Sequence, residues 1–446
     1  MKPRVLVSGA NGFIGRNLIP LLLEQGYPVR ALTRRKQALV HAPWAEQVEI
    51  FEGDVLIPST LKEACRGVEI AFYLIHLMGL GKDYTNMEIQ AARNFSRAAA
   101  EGHVRRLIYL GGIAPPSPSL AIHLRSRLET GEALREGRVP VTELRTAIIL
   151  GYGSLSFEMI RGLVENLPVI VLPPWAGNHT QPIDIDAVLA ALLTTLENEE
   201  TSGKIYEIGG PEIVSYAELL HSFARQGDKH PLIFHVPFPL PISLLAFITA
   251  HFSGVSYPIT RALIEGLRNE TRVFMPPDNT TFRRLPNIPC DESLKKAIST
   301  THPRSLWRSW EQDCLPIRSL YTQGLLLRSE CYPIRSHLLP ISLKSGQAKT
   351  GTWSIETEGK NLLRITRQTP WGQLWWEWKI IPNNESPQLR QTLFFRPKGL
   401  LGRLLWPFLS TWYRIVQKPF ISDDSARHPA NGDGTGQSDR QRDRAG

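Results

Sequence analysis

The chain has 446 residues and a formal net charge of +9, and this length is too great for a single domain of about 150 residues. Residues 300–420 contain 17 Lys and Arg against 7 Asp and Glu, so the basic charge belongs to the C-terminal part of the chain. The four cysteines are irregularly spaced and the N-terminus carries no secretory hydrophobic segment, which argues against a disulfide-bonded secreted protein. We therefore expect a reduced, cytoplasmic protein.

Three glycines join the first predicted strand, at residues 4–7, to an apolar-periodic helix that includes residues 18–23. Gly9 permits a tight turn, Gly12 leaves room for the backbone to approach a pyrophosphate, and Gly15 lets the helix pack close to the strand. The amide groups and the positive dipole end of this helix would then face an anion. The spacing predicts a phosphate-binding turn for a dinucleotide.

The context of the turn favours this interpretation over a glycine-rich surface loop. Further buried-strand candidates follow at residues 28–32, 68–74 and 106–110, and helical stretches separate them. This alternation is typical of βαβ units with a parallel sheet. The predicted fold class is α/β, a doubly wound parallel sheet of Rossmann type.

The residues after the second predicted strand decide between NAD(H) and NADP(H). An acidic residue there would bind the ribose hydroxyls of NAD, whereas Thr33 is followed by Arg34, Arg35 and Lys36. A guanidinium group matches phosphate oxygens, so Arg34 is predicted to bind the 2′-phosphate of NADP(H), with Arg35 assisting or stacking on the adenine. The alternative is a solvated basic turn.

Asp54, after the third predicted strand, is placed to accept a hydrogen bond from the adenine amino group. The remaining predicted cofactor contacts are Asn11, Phe13, Ile14, Val55, Leu74 and Gly111.

The glycine turn, Arg34 and the run Gly53-Asp54-Val55 together resemble the atypical and extended short-chain dehydrogenase/reductases. The similarity is greatest to their NmrA-like and NAD(P)-dependent epimerase-like branch. It implies a serine after the fifth strand and a Tyr-x-x-x-Lys pair, in which the tyrosine exchanges a proton with the substrate and the lysine holds the nicotinamide ribose.

The chain departs from that pattern at all three positions. Gly111 and Gly112 end the fifth predicted strand where the serine would stand, and His123 and Arg127 occupy the tyrosine and lysine spacing. Residues four apart share one helix face. His123 could act as a general acid because its unperturbed pKa lies near neutrality, and Arg127 could hold the ribose, although it cannot share a proton relay.

Two hypotheses about function follow. The first is an NADP(H)-dependent oxidoreductase or epimerase-like enzyme, with His123 as proton partner, Arg127 on the ribose and a hydrophobic small-molecule substrate. The second is a non-catalytic NADPH-binding sensor or assembly protein, which would need only the binding half of the site.

The rest of the N-terminal part supplies a smaller lobe. Residues 142–151 are predicted as the sixth strand, and helices are predicted at 216–226, 242–252 and 258–269. The apolar run at 242–252 is too short to span a membrane. No spacing typical of metal ligands occurs. The family resemblance implies pocket positions for Phe157, Glu158, Arg161 and Gln181, each of which could equally be a packing or surface residue.

Alternating polar and apolar residues at 351–356, 361–366, 374–380 and 389–395 predict antiparallel strands. The segment that follows, from Arg396 to Tyr413, resembles a domain of unknown function that follows the dehydrogenase-like fold in bacterial proteins. This resemblance implies a curved sheet around a long helix, as in helix-grip lipid-binding domains. We predict three segments: a Rossmann domain with a small substrate lobe at 1–299, an α+β domain at 300–420, and a disordered tail at 421–446.

The C-terminal module also holds 9 of the 11 tryptophans. One interpretation is peripheral membrane contact through an amphipathic helix whose apolar stripe is Leu401, Leu405, Phe408, Trp412 and Val416. The alternative is that this stripe packs into the concave sheet. No recognition motif accompanies the charge, so nucleic-acid binding is not expected.

Overall fold

The computed structural model describes most of the N-terminal three hundred residues and separate segments of the C-terminal module. The described residues are 2–39, 42–78, 81, 83–227, 229–275, 281–299, 320–322, 325–333, 354–359, 362–381, 388–397, 402, 404–406 and 408–409.

The strands of the N-terminal part follow in chain order. They are β1 (Val5–Ser8), β2 (Val29–Thr33), β3 (Glu49–Glu52), β4 (Ile70–Tyr73), β5 (Arg106–Gly112), β6 (Val141–Thr146), β7 (Ile149–Leu150), β8 (Val169–Leu172), β9 (His179–Thr180), β10 (Ile183–Asp184), β11 (Ile205–Ile208), β12 (Val214–Ser215) and β13 (Leu232–His235).

The helices alternate with these strands. They are α1 (Phe13–Glu24), α2 (Leu61–Cys65), α3 (Tyr84–Glu101), α4 (Ile122–Arg135), α5 (Leu155–Asn166), α6 (Ile185–Glu197), α7 (Tyr216–Gln226), α8 (Ile242–Ser253), α9 (Tyr257–Gly266) and α10 (Cys290–Ser299). Short 3₁₀ helices span Lys36–Ala38, Ala45–Gln47, Pro58–Thr60, Pro174–Gly177 and Glu199–Thr201.

Seven strands form one parallel sheet in the order β11-β6-β5-β4-β1-β2-β3. The chain runs outward from β1 in one direction through β2 and β3, then returns to β4 on the other side. The strand order therefore reverses between β1 and β4, and such a switch point opens a ligand crevice at the carboxyl ends of the strands. The predicted α/β fold with a doubly wound parallel sheet is confirmed.

Both faces of this sheet are covered, which explains its continuous apolar strands. Val5 and Val7 pack into a core shared with α1 and α6, whereas Leu6, on the opposite face, packs with α2, α3 and α4. Strand geometry alternates side chains between faces, so one short apolar run supplies both cores.

A smaller lobe is built from α5 and α7–α10, with β8 paired to β13. The predicted sixth strand is divided into β6 and β7 by two residues outside either strand. α7 has the predicted bounds, and α8 and α9 lie where helices were predicted. Within the part of the chain that the structure describes, no helix is both long enough and apolar enough to cross a bilayer.

The C-terminal module contains an antiparallel sheet. Its strands are β14 (Leu320–Thr322), β15 (Leu325–Pro333), β16 (Ser354–Gly359), β17 (Leu362–Thr369), β18 (Gly372–Ile381) and β19 (Gln388–Pro397), in the order β14-β15-β19-β18-β17-β16. Four were predicted from alternation, whereas β14 and β15 were not. The boundaries 1–299, 300–420 and 421–446 stay predictions, and the tail lies outside the described residues.

Aromatic residues hold the centre of this sheet. Trp375 on β18 lies opposite Phe394 on β19, and both side chains are buried. Trp406 stacks on Phe395 with ring centroids 6.3 Å apart. Of the predicted amphipathic stripe, Leu405 is half-buried and Phe408 exposed, while the other three residues lie outside the described part of the chain.

Candidate functional site

The three glycines form a turn that side chains would disrupt. Gly9 has a φ of +68°, and a Cβ atom there would lie 2.8 Å from the carbonyl oxygen of Leu74. A Cβ on Gly15 would lie 2.5 Å from the carbonyl oxygen of Gly9. Gly12 is the N-cap of α1, and its N–H donates to the Gly9 carbonyl at 2.8 Å. The first turn of α1 thus begins at the switch point, where its amide groups can bind an anion.

Neighbouring strand ends complete this crevice. The Ser8 hydroxyl donates to the carbonyl oxygen of Phe72 at 2.8 Å and accepts from the N–H of Leu74 at 3.3 Å, which ties β1 to the end of β4. Phe13 and Ile14 open α1 and are half-buried, while Asn11 is exposed. These residues and Gly111 fit the cradle that a dinucleotide needs.

The basic turn and Asp54 lie at the same edge of the sheet. The Gly53 N–H donates to the carbonyl oxygen of Thr33 at 2.9 Å, so the chain after β3 runs beside the chain after β2. Arg34 and Arg35 are exposed, and Asp54 accepts from the N–H of Leu56 at 2.9 Å. Val55 is buried.

A carboxylate does stand beside the basic turn. Glu52 accepts a hydrogen bond from the backbone N–H of Lys36 at 2.9 Å. This contact holds the backbone at the entry to the 3₁₀ helix that follows Arg35. The geometry leaves the Arg34 and Arg35 side chains at the surface, where a phosphate could reach them.

His123 and Arg127 lie one turn apart on α4, and both line a cavity that reaches Phe13, Ile14 and Gly111. Arg127 Nη1 donates to His76 Nε2 at 2.5 Å. A Cβ on Gly112 would lie 3.4 Å from Cγ of Arg127. The Arg127 stem therefore lies within van der Waals contact of the position where the family pattern has a serine.

The environment of His123 makes it a neutral group. Burial, and then the positive charge of Arg127, lower the pKa of His123 to about 3. The sequence supplies only the unperturbed pKa of a histidine near neutrality, because it carries no direct measure of the desolvation of the His123 side chain. Its Nδ1 atom is buried and has no hydrogen-bond partner among the described residues.

Helix α9 fixes the position of the His123 ring. A Cβ on Gly266 would lie 1.9 Å from Cε1 of His123 and 2.7 Å from Nε2. Only a glycine lets the helix approach the imidazole so closely. Gly266 is consequently a positioning residue for His123.

His76 is a site residue that sequence reasoning missed. It lies three positions beyond β4, in the loop at the switch point, and that placement was the available signal. Burial and the nearby Arg127 hold the pKa of His76 well below its usual value. Glu88 anchors this loop to α4, because it accepts from the Leu77 N–H at 2.8 Å and also from the Ser126 hydroxyl.

The cavity is about 650 Å³ and is lined mainly by apolar side chains. Its walls come from β7, β8, α5, α7, α8 and α9. Representative apolar residues are Met159, Leu163, Ile170, Leu220, Ile248 and Leu263. The titratable groups His76, His123 and Arg127 meet near the end of β5, and Tyr216 also lines the cavity. This arrangement suits a large apolar ligand with one polar group.

The four further pocket candidates lie elsewhere. Glu158 and Arg161 are buried and pair with each other, with Arg161 Nε donating to Glu158 at 3.1 Å. Phe157 packs against Phe223, with ring centroids 5.6 Å apart. Gln181 donates to the carbonyl oxygen of Gly210 at 2.8 Å. These residues stabilise the lobe, and none of them is among the residues lining the cavity.

A family model described as NAD(P)H-binding matches residues 9–127. The fold resembles the solved Citrobacter sp. triphenylmethane reductase complexed with NADP(H), which is 22% identical with a TM-score of 0.52 over 66% of this chain and 99% of that one. A nucleoside-diphosphate-sugar epimerase from Staphylococcus aureus gives 16% identity and a TM-score of 0.51, with coverage of 66% and 99%. Residues 9–127 therefore match an NAD(P)H-binding domain, and the chain shares the fold of these solved reductase and epimerase structures.

Relatives by sequence include both an enzyme and a subunit of a complex. Ceramide reductase of Caulobacter vibrioides is 30% identical over 171 residues, which is 37% of this chain and 52% of that protein. NADH dehydrogenase (ubiquinone) 1 alpha subcomplex subunit 9 of Arabidopsis thaliana mitochondria is 24% identical over 274 residues, or 57% and 65%. The matches thus span less than two thirds of either relative. Reductases are among the similar proteins.

Proposed function

We propose that this protein is an NADP(H)-dependent oxidoreductase that interconverts a carbonyl and a hydroxyl group on a large hydrophobic substrate. The observation that carries the proposal is the apolar cavity of about 650 Å³ that places His123 and Arg127 beside the glycine turn. The name of the bacterial relative, ceramide reductase, supports a hydrophobic substrate.

The glycine turn and the start of α1 would bind the pyrophosphate. Arg127, which lies on α4 near the end of β5, would bind the nicotinamide ribose. When bound, NADP(H) would supply or accept a hydride. Arg127 is already fixed by its contact with His76, so it would bind the ribose with little loss of side-chain freedom. The apolar walls exclude water from the reacting carbon.

His123 would act as a neutral hydrogen-bond donor. With its pKa lowered to about 3, the imidazole is uncharged at physiological pH. A neutral imidazole can still polarise a carbonyl and stabilise negative charge that develops on its oxygen. The proton that completes the hydroxyl group would come from solvent at the open end of the cavity.

A second candidate function is a non-catalytic NADPH-binding sensor or assembly protein. It is favoured by the replacement of all three residues of the family pattern, since Gly112, His123 and Arg127 stand in their places. The relative that is a subunit of NADH dehydrogenase in Arabidopsis supports this alternative.

An absorbance assay separates the two candidates. Purified protein is mixed with NADPH and a series of aliphatic ketones of increasing chain length, and oxidation is followed at ~340 nm. If the cavity binds the chain, kcat/KM rises about fourfold for each added methylene, since burial of one contributes about 0.8 kcal/mol. The control is Gly12→Glu, which blocks the pyrophosphate turn. Tight NADPH binding without NADPH oxidation on addition of any ketone or of a lipid extract contradicts the enzyme and favours the assembly protein.

Cofactor preference gives another prediction. Replacing Arg34 with alanine is expected to weaken NADPH binding about 10- to 100-fold and to leave NADH binding unchanged, because a charge-assisted hydrogen bond contributes about 1.5–3 kcal/mol. Fluorescence titration with both cofactors measures the change. Lys36→Ala, two residues further along the same turn, is the matched control. An equal loss for both cofactors would show that Arg34 does not bind the 2′-phosphate.

A further inference from the structure

The smaller lobe exposes apolar residues on the paired strands β8 and β13. Val169 lies opposite Leu232, and Val171 lies opposite Phe234. These four residues share one face, because the alternate residues Ile170 and Leu172 point into the core. Leu232 and Phe234 are 61% and 52% exposed. One face of this strand pair is therefore apolar although it is open to solvent.

Helix α8 extends this apolar surface. Leu244 and Phe247 lie on adjacent turns of the same side and are 51% and 64% exposed. We call the six residues Val169, Val171, Leu232, Phe234, Leu244 and Phe247 the apolar mouth face. Contiguous exposed apolar surface of this kind marks an interaction site more often than chance exposure does.

The apolar mouth face is continuous with the cavity. Val169, Val171 and Leu244 are exposed to solvent and also line the cavity that contains His123. A ligand that lies on this face could therefore enter the cavity without crossing water. The apolar mouth face and the walls of the cavity are both mainly apolar.

The charged residues of the chain segment that supplies β13 and α8 have one sign. From Lys229 to Ile264 the sequence contains no Asp or Glu. The same stretch carries Lys229 and Arg261 together with three histidines, of which His230 precedes strand β13, His235 ends it, and both are exposed. An apolar face formed in part by a chain segment that carries cations and no carboxylate matches the interface of an anionic lipid bilayer.

We propose that the apolar mouth face docks on the surface of an anionic phospholipid bilayer and admits a lipid-like substrate directly from it into the cavity. Phe234, Phe247 and Leu232 insert among the acyl chains, while Lys229 and Arg261 remain at the level of the headgroups. This docking proposal rests on the proposed function, because it names the source of the hydrophobic substrate. It places membrane contact on the smaller lobe rather than on the C-terminal stripe predicted from the sequence.

Vesicle co-sedimentation of the full chain tests docking without any turnover. The probes are vesicles of phosphatidylcholine with phosphatidylglycerol, and vesicles of phosphatidylcholine alone. We expect the unmodified protein to bind the anionic vesicles, and the double variant Phe234→Asp/Phe247→Asp to bind them at least about tenfold more weakly. Neither residue lines the cavity, so oxidation of NADPH with a short, water-soluble ketone should be the same in both proteins.

Ile213→Asp is the matched control, because Ile213 is 50% exposed but lies on a different surface loop, before β12. Unchanged thermal unfolding of the double variant excludes misfolding. The proposal is overturned if the unmodified protein stays in the supernatant, if the double variant binds as well as the unmodified protein, or if the double variant converts a dimer into a monomer. The last outcome would assign the face to a second copy. Failure to reduce ketones with NADPH would refute the proposed function and leave the docking result intact.

Discussion

Replacing His123 with leucine is expected to lower kcat at least about 100-fold, because loss of one preorganised hydrogen-bond donor to a developing oxyanion costs about that much. The affinity for NADPH should stay the same, since the glycine turn and Arg34 are untouched. Stopped-flow oxidation of NADPH measures the rate, and fluorescence titration measures the affinity. The leucine side chain fills a similar volume in an apolar wall, so the cavity keeps its shape.

His221→Leu is the matched control, because His221 is exposed on α7 and is not among the residues lining the cavity. The pH profile of the unmodified enzyme offers an independent test. A pKa of about 3 predicts that kcat shows no ionisation of His123 between pH 5 and 8. Retention of full turnover by His123→Leu would exclude His123 as the hydrogen-bond donor to the oxyanion.

The central strands of the sheet were predictable because their pattern is local. β1, β2, β4 and β5 are short apolar runs that fill both faces of a covered sheet, and the glycine spacing fixed the position of the first helix. β14 and β15 were missed since residues 320–333 lack the period-2 alternation that identifies β17 and β18. A strand without alternation or clear turn signals resembles a buried helix segment in sequence.

The site was only half predictable for a different reason. The glycine turn and the His123–Arg127 spacing can be read within short segments, whereas the cavity joins α4 to α5, α8 and α9 from distant parts of the chain. The pKa of His123 depends on that enclosure, and no local pattern encodes it. Glu158 and Arg161 show the converse. Their spacing lets the two side chains pair with each other within α5 instead of binding a ligand.

Gly15→Ala is expected to weaken NADPH binding at least about 100-fold, because the added methyl group must displace the turn that binds the pyrophosphate. The new Cβ would lie 2.5 Å from the Gly9 carbonyl oxygen and 2.8 Å from Cα of Ala10, and both are backbone atoms that cannot rotate away. Overpacking of this kind also lowers the free energy of unfolding by about 1–3 kcal/mol. Titration with NADPH at a temperature well below the melting point separates the two effects.

Gly177→Ala provides the control for that substitution, since a Cβ at Gly177 meets nothing within 4 Å and its φ lies outside the left-handed region. We expect its NADPH affinity and melting temperature to match those of the unmodified protein. Normal NADPH affinity in Gly15→Ala would mean that the pyrophosphate does not bind at the start of α1. The anion would then have to bind elsewhere along the carboxyl edge of the sheet, and the placement of the nicotinamide beside His123 would fail with it, because one cofactor of limited length must reach both sites.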